Sequence, residues 1–350
     1  MRLHIIISLL LSLCLAYARE KRAFITVVTT EEDVEPAMAI GTLLRASTRT
    51  KDSVHNSAYS LDYICLVLRK EEFEAYKNPT TDQVTGGVSL IGMKKLTFSG
   101  WTTRPVSYSI FNDNYKGANW SQADFNAMWI WAMNEYDKVV YLNHDVLVFK
   151  DIKDLFSRNV NFAAAPKPFA SHQFDSGLML IKPNMSTFTE LMNELKRGIE
   201  GSWNLDVFLN NYYSAWYTMG ANHRLSPYYN APYSWTQDES WVQHRKDIRA
   251  LHFLGDEKPS AILKNPKKYN VSKYGAPFIY IWAIILFFIA NPLEDGFEDE
   301  TRHVLQKVFD ITKSSKAVAE YIEKMKRGGT RLRISIHDDA EHDDDEFDEL

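Results

Sequence analysis

Cysteine is scarce in this chain and the net charge is small, and both absences exclude classes of protein. Only two of the 350 residues are cysteine, which is too few for a small scaffold held by disulfides. The formal net charge is −5, so we expect no nucleic-acid partner, because the chain lacks a strong positive field. The phosphate loops GxxxxGK and GxGxxG are also missing, which leaves ATP-binding and dinucleotide-binding folds without support.

The small net charge conceals a strongly acidic C-terminus. Residues 337–350 read HDDAEHDDDEFDEL, with nine carboxylates and no lysine or arginine. Without them the rest of the chain carries +4 instead of −5. Such a block of like charges is typical of a solvated tail, and we predict disorder over residues 328–350.

The body of the chain is rich in apolar and aromatic residues. Hydrophobic residues make up 45% of the sequence, with 19 Phe, 18 Tyr and 9 Trp. This composition supports a sizeable core and excludes a wholly disordered chain. The length suits one large domain or two ordinary ones.

The N-terminus has the three parts of a secretory signal peptide. Arg2 supplies the positive charge, residues 5–15 form an apolar stretch of eleven residues, and AYA at residues 16–18 is a cleavage site. We therefore predict a signal peptide at residues 1–18, which contains Cys14 and leaves one cysteine in the mature chain.

Glycosylation sequons in the body agree with passage through the secretory pathway. They begin at Asn119, Asn184 and Asn270. With the signal peptide, they predict a luminal body in the endoplasmic reticulum or Golgi, associated with the membrane through the segment described next.

A second apolar run, at residues 275–290, is a candidate membrane segment. It has sixteen residues without a charge and extends to residue 293 if Asn291 and Pro292 are tolerated, whereas a full span needs about 20 residues. Lysines precede the run and acids follow it, against the positive-inside tendency. Two interpretations stay open: a transmembrane or membrane-associated helix at residues 275–293, and a buried or interfacial helix. In the second case the final FDEL resembles a degenerate retrieval signal.

Strand-like and helix-like stretches alternate through the body, which predicts an α/β fold with a layered sheet. We expect strands at residues 24–28, 63–68, 88–91, 139–142 and 178–181, and helices at residues 36–44, 125–136 and 188–199. Ligands of such sheets bind at the carboxyl ends of the strands. Asn143, His144 and Asp145 directly follow a predicted strand, so they are candidates for a binding edge.

A carboxylate and a distant imidazole suggest a divalent metal. Asp145 ends a strand and His252 lies far downstream, a pairing that suits a manganese-type ion with mixed oxygen and nitrogen ligands. Lys258, six residues after the imidazole, is placed to reach a phosphate on that metal. An Asx turn at Asn143 explains the same residues without a metal, so the residues alone indicate an α/β protein with a candidate metal–phosphate site.

The order of motifs resembles family 8 of the glycosyltransferases, the glycogenin and plant glucuronosyltransferase-like group. The resemblance runs from about residue 23 to residue 258. Its most specific part is YDKVVYLNHDVLV at residues 136–148, followed by IKDLF at 152–156. The other matching stretches are AFITVVTT at 23–30, AAP at 164–166, FDSG at 174–177, FLN at 208–210, Tyr229 with Asn230, and HFLGDEKP at 252–259.

The resemblance implies a GT-A fold, a Rossmann-like mixed sheet with flanking helices, and transfer of a sugar from a UDP-sugar with retention of anomeric configuration. It implies Mn²⁺ or Mg²⁺ as cofactor and an acceptor glycan, lipid or protein. It assigns a role to each of eleven residues: Asn143, Asp145 and His252 as metal ligands; Thr29, Thr30, His144, Ser176, Gly255 and Lys258 as donor-binding residues; Asp175 and Asp206 as catalytic residues facing the donor sugar. The glycosyltransferase domain would span residues 23–262, followed by the apolar segment and a helical segment at residues 298–327.

Several positions depart from the family pattern. The first acid of the family's Asp-x-Asp is Asn143, whose amide oxygen coordinates without a charge. Asp206 lies one place away from the acid that contacts the sugar in the family, and Asp33 replaces the tyrosine that stacks on uracil. These changes leave two hypotheses: a metal-dependent glycosyltransferase, and a catalytically impaired relative that acts as a binding or scaffold protein.

Overall fold

The structure is a computed structural model that describes most of the body of the chain. The described residues are 20–48, 59–76, 86–107, 122–168, 170–197, 204–237, 241–255 and 258–264, with Phe278, Ile279 and Trp282. The predicted signal peptide, the predicted helical segment at 298–327 and the acidic tail lie outside these residues. So do the sequons at Asn119 and Asn270.

Nine strands form two sheets within the described residues. They are β1 (Glu20–Val28), β2 (Tyr59–Leu68), β3 (Thr102–Val106), β4 (Lys138–Leu142), β5 (Val146–Val148), β6 (Phe162–Lys167), β7 (Ala170–Ile181), β8 (Ala231–Pro232) and β9 (Ala250–His252). The larger sheet has the order β3-β2-β1-β4-β7-β6, and the smaller one has the order β5-β9-β8. In the larger sheet β3, β2, β1 and β4 run parallel, whereas β7 is antiparallel to β4 and to β6. The predicted mixed α/β sheet is confirmed.

Helices flank the sheets. The α-helices are α1 (Val34–Thr48), α2 (Lys70–Tyr76), α3 (Leu90–Phe98), α4 (Met185–Lys196), α5 (Leu205–Tyr212), α6 (Trp241–His244) and α7 (Pro259–Lys264). Short 3₁₀ segments lie at Glu31–Asp33, Lys153–Ser157, Trp216–Thr218, Ala221–His223, Pro227–Tyr229 and Tyr233–Gln237. The helix expected at residues 125–136 is a 3₁₀ helix at Gln122–Ala132.

The strand predicted at residues 88–91 was wrong. Val88 makes only an isolated bridge to Arg69, and α3 begins directly afterwards. Ser89 caps this helix, because its side chain accepts a hydrogen bond from the Gly92 amide at 3.0 Å. A short apolar run does not distinguish a strand from a helix start by its pattern, and the cap decides between them here.

Strand β1 is central, and its alternating side chains enter two separate cores. Phe24 and Val28 belong to the cluster on one face of the sheet, whereas Ala23, Ile25 and Val27 belong to the cluster on the other face. All five are buried. This two-residue alternation explains why the strand is apolar on both faces, as expected where helices cover both sides of a sheet.

A close approach between α1 and Trp101 explains the Ala-x-x-x-Gly spacing in α1. The indole Nε1 of Trp101 donates a hydrogen bond of 2.7 Å to the carbonyl of Ala37. A Cβ on Gly41 would lie 2.3 Å from the same nitrogen. Only glycine leaves room for the ring there, so this spacing holds α1 against the buried Trp101.

The beginning of the second apolar run packs on the core of the domain. Phe278, Ile279 and Trp282 are helical, and Ile279 and Trp282 belong to the core cluster that contains β5 and β9. The ring centroid of Phe278 lies 5.2 Å from that of Phe149, and the Trp282 ring lies 6.2 Å from Phe253. Among the described residues, no helix has the length and apolar character needed to cross a membrane.

We predict that Trp282→Ala lowers the free energy of unfolding by about 3–5 kcal/mol, the usual cost of emptying a buried tryptophan site. Trp282 is 1% exposed, so Trp282→Phe should cost clearly less because it keeps an aromatic ring against Phe253. Denaturant unfolding of the full chain measures both values. A loss below about 1 kcal/mol for Trp282→Ala would contradict the packing of this segment on the domain.

Candidate active site

A tight turn after β4 presents the first candidate residues at the carboxyl edge of the sheet. The backbone N–H of Asn143 donates a hydrogen bond to the Gly177 carbonyl at 2.8 Å. The side-chain oxygen of Asn143 accepts a hydrogen bond from the backbone N–H of His144 at 2.9 Å. The Val146 amide returns to the Asn143 carbonyl at 3.0 Å. Residues 143–146 therefore form a backbone hydrogen-bonded β-turn, which directs the buried Asp145 towards β9.

His252 lies between two buried carboxylates. Its Nε2 is 3.0 Å from Asp145 Oδ1, and its Nδ1 is 3.1 Å from Asp175 Oδ1. All three residues are at most 9% exposed. Neither contact has the angle of a well-formed hydrogen bond, so Asp145 Oδ1 and His252 Nδ1 have no directed hydrogen-bond partner among the described residues. The contacts are therefore mainly electrostatic.

The charges of this cluster support one another. Burial alone would lower the pKa of His252, but the facing carboxylates of Asp145 and then Asp175 raise it well above its usual range. Burial alone would raise the pKa of Asp145 and of Asp175, yet His252 outweighs that effect and holds both below their usual range. The two carboxylates therefore favour the charged form of the imidazole.

Hydrogen bonds from neighbouring residues hold Asp175 in place, and Asp175 in turn orients the imidazole of His252. Its Oδ1 accepts hydrogen bonds from the Gly177 amide at 2.7 Å and from Asn230 Nδ2 at 2.8 Å. A Cβ on Gly177 would lie 2.3 Å from His252 Cε1, so glycine is required for the ring to lie in this place. Asp175 thus positions His252 from the side opposite Asp145.

The backbone of Phe253 links three parts of the site. Its amide donates to the Asp145 carbonyl at 3.1 Å, and its carbonyl accepts from Lys258 Nζ at 2.8 Å. Its ring stacks on Tyr233 with centroids 4.6 Å apart and contacts Trp282 on another side. Lys258 Nζ also forms an ion pair with Asp145 Oδ2. The backbone of Phe253 therefore holds Asp145 and Lys258 on the same side of the cavity, and its packed ring anchors this backbone.

Asp206 is engaged at both carboxylate oxygens. Its Oδ1 accepts the Ser176 amide at 2.8 Å, and its Oδ2 forms an ion pair with Lys167. Asp206 lies in the first turn of α5, which Asn204 caps. The sequence did not indicate Lys167 as a site residue, although it follows the AAP motif directly.

These groups surround a cavity of about 630 Å³. Seven of the eleven predicted site residues line it: Asn143, Asp145, Asp175, Ser176, Asp206, His252 and Gly255. Lys258 reaches the same cluster through Asp145. A cavity of this size accommodates a ligand of a few hundred daltons.

The three other predicted residues form a neighbouring cluster outside the cavity lining. His144 Nε2 lies 3.2 Å from Asp33 Oδ1, and Thr30 donates to Asp33 Oδ2 through its amide at 3.1 Å and through its hydroxyl at 2.7 Å. The Thr29 carbonyl accepts the Gly87 amide at 2.7 Å. Asp33 thus connects the end of β1 with the turn after β4.

The donor set accommodates a divalent metal only in part. The nitrogen of His252 and the carboxylate of Asp145 face each other, Asp175 orients the imidazole as outer ligands do at metal sites, and the buried Asp145 Oδ1 has no directed hydrogen bond. Asn143 adds an amide oxygen. Within the described ranges, no group of three or more His, Cys, Asp or Glu side chains converges on one point. An ion here requires ligand oxygens to complete its shell.

Comparison with known proteins assigns the chain to a family. The sequence profile of Glycosyl transferase family 8 matches residues 71–259, more than half of the chain, so the chain belongs to that family. Glycogenin-1 of Mus musculus is 30% identical over 146 residues, which are 41% of this chain and 43% of that protein. The chain thus spans less than half the length of this relative.

A plant relative and a solved structure agree with this assignment. The Arabidopsis thaliana protein named putative UDP-glucuronate:xylan alpha-glucuronosyltransferase 5 is 31% identical over 182 residues, half of this chain and 29% of that one. The galactosyltransferase LgtC, solved with donor and acceptor sugar analogs, superposes with a TM-score of 0.50 at 12% identity, covering 79% of this chain and 98% of that one. At that identity the superposition shows a shared fold.

We predict that Gly177→Ala weakens Mn²⁺-dependent binding of UDP by about 10- to 100-fold, the usual effect of disturbing a residue that orients a metal ligand. The added Cβ displaces the His252 imidazole because it would lie 2.3 Å from that ring. Calorimetric titration of the full chain with UDP in the presence of Mn²⁺ measures the change.

Gly220→Ala is the control for this substitution. Gly220 has φ +107° and no atom within 4 Å of an added Cβ, so alanine there strains the backbone without touching the site. It should reduce the free energy of unfolding by about 1–3 kcal/mol and leave UDP affinity unchanged. Equal UDP affinity in Gly177→Ala and the unmodified chain would refute the assigned role of the glycine.

Proposed function

We propose that this chain is a glycosyltransferase that moves a hexose or hexuronic acid from a UDP-sugar to an acceptor hydroxyl, with retention. The acceptor would be a glycan, a lipid or a protein. Family membership supports the reaction class. The single observation that carries the proposal is the Asp145–His252–Asp175 cluster, because a buried histidine between two buried carboxylates at a cavity wall has no evident packing role.

We assign different steps of this reaction to different residues at the cavity. Lys258 would leave Asp145 and donate to the diphosphate, which departs with the electron pair of the broken anomeric C–O bond. The acceptor oxygen forms the new bond on the same face, and its proton leaves with the diphosphate. Asp206 and Lys167 line the wall beside Ser176, where a carboxylate and an ammonium would bind the hydroxyl groups of the sugar.

The metal site would be built by Asp145, His252 and Asn143. A bound Mn²⁺ or Mg²⁺ would supply positive charge next to the diphosphate, which favours departure of UDP. Since the chain offers one carboxylate, one imidazole and one neutral amide, we infer that metal and nucleotide bind together. Each ligand then completes the site for the other.

A binding protein without catalysis is the second candidate. It is favoured by the pairing of every carboxylate at the cavity: Asp145 with His252 and Lys258, Asp175 with His252, and Asp206 with Lys167. Such a closed set of ion pairs is stable without a ligand. A sugar, a nucleotide or a protein would then bind without group transfer.

We predict that Asn143→Asp tightens Mn²⁺ binding in the presence of UDP by roughly tenfold, since a second carboxylate increases the charge of the ligand set. The new carboxylate oxygen would still accept the His144 amide, so the turn should persist. Asp145→Ala should abolish metal-dependent UDP binding. Calorimetry measures both affinities, and release of UDP from UDP-sugars measures turnover.

The control is Asn193→Asp, which adds the same charge at an exposed position of α4. It should change neither affinity. Absence of any UDP binding by the unmodified chain, with or without Mn²⁺, would contradict the proposed function. Metal-dependent UDP binding without UDP release from any UDP-sugar would instead support the binding protein.

We also propose that the body lies in the lumen of the secretory pathway. The support is the predicted signal peptide together with the sequon at Asn184, which is exposed at the start of α4. The Asn184 side-chain oxygen accepts the Ser186 and Thr187 amides at 2.8 and 3.1 Å. The helix cap uses the side-chain oxygen of Asn184, whereas glycosylation modifies its side-chain nitrogen. The two are therefore compatible.

We expect the full chain, expressed in secretory eukaryotic cells, to lose one endoglycosidase-sensitive glycan in Ser186→Ala. This variant removes the sequon but keeps the Asn184 cap, and Ser186→Thr should retain the glycan. Gel mobility before and after endoglycosidase gives the count of glycans. A chain without any endoglycosidase-sensitive mass would speak against a luminal body.

A further inference from the structure

An ion pair forms the wall of the cavity beside Ser176. Lys167 Nζ contacts Asp206 Oδ2, and the two side chains are 25% and 22% exposed. Asp206 Oδ1 accepts a hydrogen bond from the backbone N–H of Ser176 at 2.8 Å, and Lys167 Nζ donates to Gln173 Oε1 at 3.3 Å. Each charged group thus has a second polar partner. Both groups belong to residues that line the cavity.

The side chain of Asn210 fixes the backbone that carries Asp206. It bonds to Phe174 of β7 in both directions, accepting from the backbone N–H at 2.9 Å and donating to the carbonyl at 2.8 Å. The same amide group also donates to the carbonyl of Asp206 at 2.8 Å. Asn210 therefore holds the first turn of α5 against β7, so the backbone of Asp206 keeps its place beside the strand.

Every basic group at the cavity, among the described residues, already faces a carboxylate. The lining contains three carboxylates and two basic side chains, which are Asp145, Asp175, Asp206, Lys167 and His252. Lys167 faces Asp206, and His252 faces the other two carboxylates. A further carboxylate on a bound sugar would therefore enter a wall in which acids outnumber bases.

We propose that the donor sugar is a neutral hexose and that the Lys167–Asp206 pair excludes hexuronic acids. A sugar hydroxyl both donates and accepts hydrogen bonds, so it binds to Asp206 and Lys167 together without breaking the pair. A uronate carboxylate only accepts. It would share Lys167 with Asp206 and bring two like charges together in a partly buried wall, which is unfavourable. This inference rests on the proposed function, because it assumes that the cavity holds a UDP-sugar.

Matched pairs of donors test the inference by their binding to the full chain. UDP-glucose and UDP-glucuronate differ only at C6, where a carboxylate replaces a hydroxymethyl group, and UDP-galactose and UDP-galacturonate form a second such pair. Calorimetric titration in the presence of Mn²⁺ gives the affinity of each donor, with UDP as the reference. In the pair that binds more tightly, we expect the neutral donor to bind at least about tenfold more tightly than the acidic one.

Two variants of the ion pair should change this preference in opposite directions. Asp206→Asn removes the like charge and leaves Lys167 to a uronate, so the preference for the neutral donor should fall by about tenfold or more, the usual effect of one hydrogen bond to a charged group. Lys167→Gln leaves the Asp206 carboxylate without its cation, so the preference should rise. Glu194→Gln is the control, because it breaks the ion pair of Glu194 with Arg197, neither of which lines the cavity. It should leave the preference unchanged.

The possible outcomes separate this inference from the proposed function. If UDP binds and the acidic donor binds as tightly as its neutral counterpart, or more tightly, the neutral hexose is overturned while the proposed function stands. UDP titration of each variant shows whether its cavity is intact. An unchanged preference in either variant that binds UDP would overturn the role of the ion pair. Absence of UDP binding by the unmodified chain would contradict the proposed function, and this inference with it.

Discussion

The buried imidazole of His252 is the interaction on which the rest of the candidate site depends. A single charge at 5% exposure is costly unless it is paired. Asp145 provides that pairing from the turn after β4 and Asp175 from within β7, so this turn, β7 and β9 must meet at one point. The turn at Asn143, the absence of a Cβ at Gly177 and the packed ring of Phe253 all help to bring these three segments together. In the small β5-β9-β8 sheet His252 pairs with Val146, which places the imidazole next to Asp145.

The same cluster explains how one missing carboxylate is tolerated. With Asn143 in place of an acid, the chain holds two strong metal donors and an amide, and within the described residues its own cations neutralise every carboxylate at the cavity. A site of this kind keeps its geometry without an ion. We propose that it gains a cation only when a diphosphate adds oxygen ligands and competes for Lys258. Coupled binding of metal and nucleotide would then be a consequence of the charge balance.

Sequence patterns predicted the fold and selected seven residues that line the same cavity, but not the contacts that position them. Short continuous apolar runs located β1, β2, β4 and β7, and the motif order placed Asp145, His252 and Lys258 together. Residues 88–91 were predicted as a strand because Val88, Leu90 and Ile91 around Ser89 fit a strand and a capped helix start equally well. The pairing of Lys167 with Asp206, and of His144 with Asp33, joins residues far apart in the chain, and no local pattern encodes such partners. Packing of Trp282 on Phe253 was left open between two interpretations of the apolar run.

The central claim is that His252, held between two carboxylates, is the nitrogen ligand of a metal that binds together with UDP. Pulsed electron paramagnetic resonance of Mn²⁺ bound to the full chain with UDP tests it most directly, because coupling to ¹⁴N reports an imidazole on the ion. The account predicts modulation from one imidazole nitrogen, which disappears in His252→Gln while UDP-bound Mn²⁺ remains detectable. Mn²⁺ bound with UDP to the unmodified chain without any nitrogen coupling would contradict the account.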